Sequence, residues 1–187
     1  MPTIITHPVI PVSIACWAGS KMVSSRLLLA AVVASVLPDA DVVSFLLGIP
    51  YEHVLGHRGF SHSISFALIT GFFGMLFARK LNGTRAAVFF LLFLSTVSHG
   101  VLDALTNGGL GVAFFSPFNN ERFFFSWRPI RVSPISLEAF LARRGWRVLA
   151  SEFLWVWLPA LSLCILGLAS RKRASVAFFG RSPFGSK

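Results

Sequence analysis

Charge is scarce in this chain. Only 13% of its 187 residues are Asp, Glu, Lys or Arg, about half the roughly 25% usual in soluble proteins. With 55% apolar residues and a mean hydropathy of +0.72, that scarcity excludes an ordinary soluble domain. Acids are scarcer still, 7 against 17 basic residues, leaving a formal charge of +10. No nucleic-acid footprint is read into that excess. The basic residues sit beside apolar runs (Arg79, Lys80, Arg85; Arg171, Lys172, Arg173), where cations orient membrane helices. Thiols number two, and Cys16 and Cys164 lie inside apolar segments, so they read as small packed hydrophobes and not as a disulfide. No basic segment precedes residues 4–18, which contain His7, Pro8 and Pro11 and read as a retained part of the fold. There is no repeat, no Gly-x-Ser-x-Gly elbow, no His-Glu-x-x-His helix and no Walker or Gly-x-Gly-x-x-Gly loop.

What remains is hydrophobic length. Five apolar stretches, Ile4–Ala18, Leu27–Leu37, Ser63–Ala78, Ala86–Leu102 and Phe153–Ala169, predict an all-α integral membrane bundle of about five embedded helices. A sixteen-residue stretch such as Ser63–Ala78 reaches about 24 Å, short of the roughly 30 Å hydrocarbon core. The helices must therefore extend into their flanks or thin the bilayer, and the second is the least secure. Residues 1–170 form one domain, with 104–150 as an interfacial segment and 171–187 as a basic, disordered tail. Within 104–150, Ser136–Leu149 reads as an amphipathic surface helix. With the N-terminus outside, Lys21, Arg26, Arg79, Lys80, Arg85, Arg171, Lys172, Arg173, Arg181 and Lys187 fall inside, as the positive-inside rule prefers.

That topology brings every candidate ligand to one, external, face. His7 starts the first helix, Asp39 and Asp41 follow the second, His57 and His62 precede the third, and His99 and Asp103 end the fourth. His99 and Asp103 are four apart and share a helical face, where they form a hydrogen-bonded pair or bind one divalent ion. Asp39 and Asp41, after a helix-stopping proline, either cap a helix starting at Val42 or ligate; a shared cation would relieve their repulsion. Ser61 is a candidate N-cap and Ser63 a candidate supporting hydroxyl, while His53 has no partner at a useful spacing. Mixed imidazole and carboxylate ligands suit zinc, or manganese, better than thiolate-seeking metals or calcium. Arg58, Arg122 and Arg128 are candidate phosphate clamps or snorkelling cations.

These pieces occur in an order that resembles a family of bacterial inner-membrane proteins described as membrane-bound, metal-dependent hydrolases. The shared parts are Thr6-His7, Leu37-Pro38-Asp39-Ala40-Asp41, His57-Arg58-Gly59-Phe60-Ser61-His62-Ser63, Ser98-His99-Gly100-Val101-Leu102-Asp103-Ala104-Leu105-Thr106, Phe115-Ser116-Pro117-Phe118 and Arg122-Phe123. They span roughly residues 5–135, with Ser61 where the family usually carries threonine. The family looks distantly similar to the zinc-dependent phospholipase C and single-strand nuclease group. The resemblance implies zinc-like ligation by His99 and Asp103 and a phosphoester substrate.

The resulting expectation is an inner-membrane, multi-pass, metal-dependent phosphoesterase acting on a lipid or lipid-linked molecule through metal-activated water. Its expected metal ligands are Asp39, Asp41, His57, His62, His99 and Asp103, with His7 as an outer one, and its catalytic set is Asp39, Asp41, His62 and Arg58. The alternative is a divalent-ion carrier or a scaffold built on the same residues. Neither reading specifies the oligomeric state.

Overall fold

Three hydroxyl side chains fix where the long helices begin. In the computed structural model, which describes residues 1–134 and 137–179, Ser24, Ser63 and Thr84 accept from the backbone N–H of Leu27, Phe66 and Ala87. They start α2 (Ser25–Val36), α4 (Ile64–Leu76) and α5 (Arg85–Ala104). Each cap satisfies an otherwise orphaned donor and contributes about 1 kcal/mol. Ser63, not Ser61, therefore caps α4, and Ser61 is free for another partner. α1 is Val9–Ala18.

The second apolar stretch is longer than its sequence suggested. Pro38 enters a 3₁₀ turn, Leu37–Val42, near its start, where proline's missing N–H costs little. The chain then continues into the short α3, Val43–Leu46, so Ser25–Leu46 is one rod of 22 residues, roughly 33 Å and long enough to span. α5 is the second such helix, and Arg143–Lys172 the third. α1 and α4 are shorter apolar helices.

The interfacial helix expected over Ser136–Leu149 proves to be two pieces, α6 (Leu137–Leu141) and α7 (Arg143–Glu152); Ser136 lies outside the described residues. α7 is continuous with the last apolar stretch. A π-helical turn, Phe153–Trp157, carries it into α8, Leu158–Phe179. Helix thus extends past Arg171 where a disordered tail was expected, and residues 180–187 lie outside the described residues.

Packing follows membrane logic. Gly71 and Gly74 of α4 face Phe89, Val88 and Leu92 of α5 so closely that a Cβ on Gly74 would sit 2.2 Å from Leu92. Small residues let the backbones approach, which is how helices associate without a hydrophobic drive. The apolar core joins Leu27, Ala31 and Ala34 of α2 to Val88, Leu91 and Leu92 of α5. Leu29, Val33, Phe72, Phe73, Phe90, Ile165 and Leu166 are exposed, the face that lipid covers.

α1 and α8 lie side by side and run parallel. Trp157 donates to Thr6 at one end, and Arg171 donates to the Cys16 and Trp17 carbonyls at the other. Between them Cys16 and Cys164 form a disulfide, correcting the expectation of two separate thiols. They are 148 positions apart, and only the pairing of first and last helices brings them together. Among the described residues β pairing is limited to the isolated bridges Thr106–Ile130 and Val112–Phe123, in the loop after α5.

Candidate metal centre

Many apolar residues face outward, whereas one group of ionisable residues is turned inward. His7, Asp39, His57, Arg58, His62, His99 and Asp103 are all buried, at the end of the bundle where α1 and α4 start and α5 ends. Gly100 explains how a loop histidine reaches α5. A Cβ there would lie 2.7 Å from the His62 carbonyl, so only glycine lets the Phe60–His62 turn settle between His99 and Asp103.

Each imidazole's tautomer is set by its neighbours. His99 Nδ1–H donates to the Ser35 carbonyl at 2.7 Å, leaving Nε2 with a lone pair 3.2 Å from Asp39 Oδ1. His62 Nδ1 faces Ser61 Oγ at 3.0 Å and Asp41 Oδ2 at 3.1 Å. Because the Ser61 hydroxyl donates to Asp41 at 2.6 Å, the proton between them belongs to His62 Nδ1. Its Nε2 is thereby turned to Asp39 at 3.8 Å and Asp103 at 3.6 Å. An imidazole oriented by a carboxylate or carbonyl on one nitrogen and open on the other is the usual form of a metal ligand.

The open atoms converge. His62 Nε2, His99 Nε2, both nitrogens of His7, both oxygens of Asp39 and Oδ1 of Asp103 are buried without a hydrogen-bond partner, while Asp103 Oδ2 is held by Arg58 Nε. Buried polar atoms left unpaired cost roughly 1–3 kcal/mol each, more when charged, so such a group calls for a partner. Zinc ligands at about 2.0–2.1 Å in a tetrahedron lie roughly 3.3 Å from one another, close to the 3.2, 3.6 and 3.8 Å separations here. The donor set fits a divalent ion. Two groups have ligand atoms all within 4.8 Å of one another: His7, His99 and Asp103, and Asp39, His57 and His62.

Charge makes the same demand. Three carboxylates, Asp39, Asp41 and Asp103, gather here with one guanidinium, that of Arg58 on Asp103, an excess of two negative charges before the histidines are counted. Burial lowers the pKa of the Met1 amino group, 4.0 Å from Asp103, to about 6, so it supplies little. Burial also works against charge on His62, but Asp103 and Asp41 outweigh it and raise its pKa to about 9. Without an ion, a proton there takes its place. Burial and the neighbouring His99 push His7, stacked on His99 with centroids 3.7 Å apart, well below the ordinary histidine value.

Two expected roles change. Asp41 stands behind the ligands: His57 donates to its Oδ1 at 2.7 Å, and Ser61 and the Arg58 backbone N–H donate to its Oδ2. The two aspartates address opposite edges of the His62 ring: Asp39 faces Nε2 of His62 and of His99, and Asp41 faces Nδ1 of His62 and of His57. Neither caps the helix that follows, since Val42 is its N-cap residue and makes no side-chain bond. Arg58 points into the protein. It is 1% exposed and its φ of +61° turns it inward, where Nε pairs with Asp103 at 2.8 Å and Nη1 donates to the Gly108 carbonyl. Arg122 donates to the His57 and Tyr51 carbonyls, and Arg128 lies over the Phe124 ring, so neither meets the centre. His53 is exposed and accepts from the Leu55 N–H.

The profile described as YdjM inner membrane protein matches residues 1–176. This chain belongs to the YdjM inner membrane protein family. It is also 41% identical over 164 residues to Inner membrane protein YbcI of Escherichia coli (strain K12), across 87% of this chain and 95% of that protein. No solved structure matches. Membership in the YdjM family makes this an inner-membrane protein, in accord with its three span-length helices. Neither description names a reaction or a metal, so what is shown narrows to an inner-membrane family with a buried His/Asp cluster.

In this YdjM-family chain, one residue escaped sequence reading altogether. Glu152, 0% exposed, accepts from Thr3 N at 2.6 Å, Thr3 Oγ1 at 2.6 Å and Thr6 Oγ1 at 2.7 Å. It ties the segment carrying His7 to the base of the last helix. A lone glutamate ahead of an apolar run reads as a helix-flanking charge, and its partners 146–149 residues away leave no local signal.

Proposed function

We propose that this protein is a metal-dependent hydrolase of the inner membrane, cleaving a phosphoester of a lipid or lipid-linked molecule. The observation that carries the metal is the convergence of unpartnered imidazole nitrogens and carboxylate oxygens from four segments. Zinc is the first choice for such nitrogen and oxygen donors, manganese the second. Bound there, the ion would supply Lewis acidity, activating water and stabilising charge that develops on a phosphoryl oxygen.

The chain's own groups do the rest. Asp39, His62, His99, Asp103 and His7 would supply the ligand atoms; Asp41 and the Ser35 carbonyl keep the His62 and His99 tautomers; Arg58 fixes Asp103. His57, 8% exposed, stands nearest the surface, with Nδ1 on Asp41, and is the candidate proton carrier. The opposite end of the bundle carries Lys21, Arg26, Arg79, Lys80, Arg171 and Lys172, which by the positive-inside rule supports an external centre.

A second reading has its own support. His7, His99 and Asp103 are 0% exposed, as in a structural ion that holds the helices together. Elemental analysis of the purified wild type and its His99→Ala variant tests the metal: stoichiometric zinc or manganese in the former and its loss in the latter are expected. Full occupancy in the variant would end the assignment. A phospholipid and lipid-pyrophosphate panel then separates the readings. Metal-stimulated cleavage supports the hydrolase; metal-dependent thermal stability without cleavage supports the structural ion, and ion flux without cleavage supports a carrier.

A further inference from the structure

Away from the metal centre, three arginines share a cavity. Arg131, Arg144 and Arg147 line a space of about 350 Å³ together with Asn107, Val132 and Val148. Among the described residues none of the three guanidiniums has a hydrogen-bond or ion-pair partner. Asn107 accepts the Val132 N–H on Oδ1 at 3.0 Å, which leaves its amide NH₂ to donate. The three guanidiniums and the Asn107 NH₂ are therefore open donors, and among the described residues no acid lines the cavity. Glu152, the acid on the same helix, is spent on Thr3 and Thr6.

The three arginines are exposed, so water screens their mutual repulsion, and an anion between them would be attracted by all three. Guanidinium forks match the oxygens of a phosphate, and α7 adds the positive end of its dipole, with Ala142 offering no side-chain cap to its first N–H groups. The depth of the site decides what bears the phosphate. α7 opens the span Arg143–Lys172, and Leu141 and Trp146 beside the arginines are 76% and 74% exposed. Trp127 and Trp155 meet edge to face near the same helix. Tryptophan and arginine at the mouth of a span mark the headgroup layer.

We propose that Arg131, Arg144, Arg147 and Asn107 bind the phosphate of an anionic phospholipid. The cavity is at the small end of ligand pockets, sized for a headgroup, so the acyl chains would lie outside it along Leu141 and Trp146. The site uses none of the metal ligands and does not depend on the reaction proposed there.

The test titrates the detergent-solubilised full chain with dihexanoyl phosphatidylglycerol, dihexanoyl phosphatidylcholine and inorganic phosphate, counting adducts by native mass spectrometry. Phosphatidylglycerol should bind most tightly, and weaken at least about tenfold in Arg144→Gln/Arg147→Gln and in Arg131→Gln. Arg143→Gln, which removes a charge outside the cavity, should leave it unchanged, as should His99→Ala. Equal weakening by Arg143→Gln, no change in either cavity variant, loss in His99→Ala, or inorganic phosphate binding as tightly as the lipid would each overturn the assignment.

Discussion

The two ends of this bundle use ionisable side chains in opposite ways. At one end His7, Asp39, His62, His99 and Asp103 are buried and aimed at one another, and of the atoms that meet only Asp103 Oδ2 has a cation beside it, Arg58. At the other, Arg26 and Arg171 spend their guanidiniums on the carbonyls of Lys80, Cys16 and Trp17, tidying the helix ends. Cations beside water need only reach a carbonyl, and their cost is small. Acids and imidazoles shut away from water need a counter-charge, so the same kind of residue signals chemistry at one end and orientation at the other.

The sharpest way to break this contrast is to remove a ligand. His62→Ala and His99→Ala should each abolish stoichiometric metal in the purified protein, measured by elemental analysis, while Arg26→Gln leaves the content at the wild-type level. Arg58→Leu comes next. It strands Asp103 in a buried site, and loss of one partner of a buried pair costs about 3–5 kcal/mol. Thermal unfolding of the metal-free proteins should show it as a large drop in Tm.

Asp41→Asn should act more gently, because it keeps the shape but weakens the hold on His57 and His62. Loss of a supporting partner typically lowers metal affinity about 10–100-fold, a change that competition with a chelator reads directly. Loss of affinity as complete as in His99→Ala would instead make Asp41 a ligand. Glu152→Gln is expected to cost about 1.5–3 kcal/mol, the worth of a hydrogen bond to a charged group, in the same unfolding assay. At the basic end Arg26→Gln should stay within about 0.5 kcal/mol.

Much of this contrast is legible in the sequence, for definite reasons. Hydrophobic length identifies the helices because lipid demands it, and alternation of crossing direction alone carries His7, Asp39, His62, His99 and Asp103 to one end. The orientation of individual side chains is not legible. Pro38 reads as a stop, yet it begins a 3₁₀ turn that lengthens the rod and splits Asp39 from Asp41. Arg58 reads as a clamp, but a left-handed backbone turns it away from any ligand outside. The Ser35 carbonyl that orients His99 is a backbone atom, invisible to any motif. Cys16 and Cys164 meet only because the terminal helices pair.

That pairing bears on biosynthesis. His7 enters the membrane with the first helix, while Glu152, which secures the Thr3–Thr6 turn beside it, is translated 145 positions later at the base of the last. Until the final span is inserted, the N-terminal turn lacks its Glu152 anchor and is held by the His7–His99 stack and the contacts of Met1 with Asp103 and Ser133. A ribosome-bound chain stopped before residue 150 would contain all five residues but not the glutamate that ties down the Thr3–Thr6 turn, so full closure of the centre would follow completion of the chain.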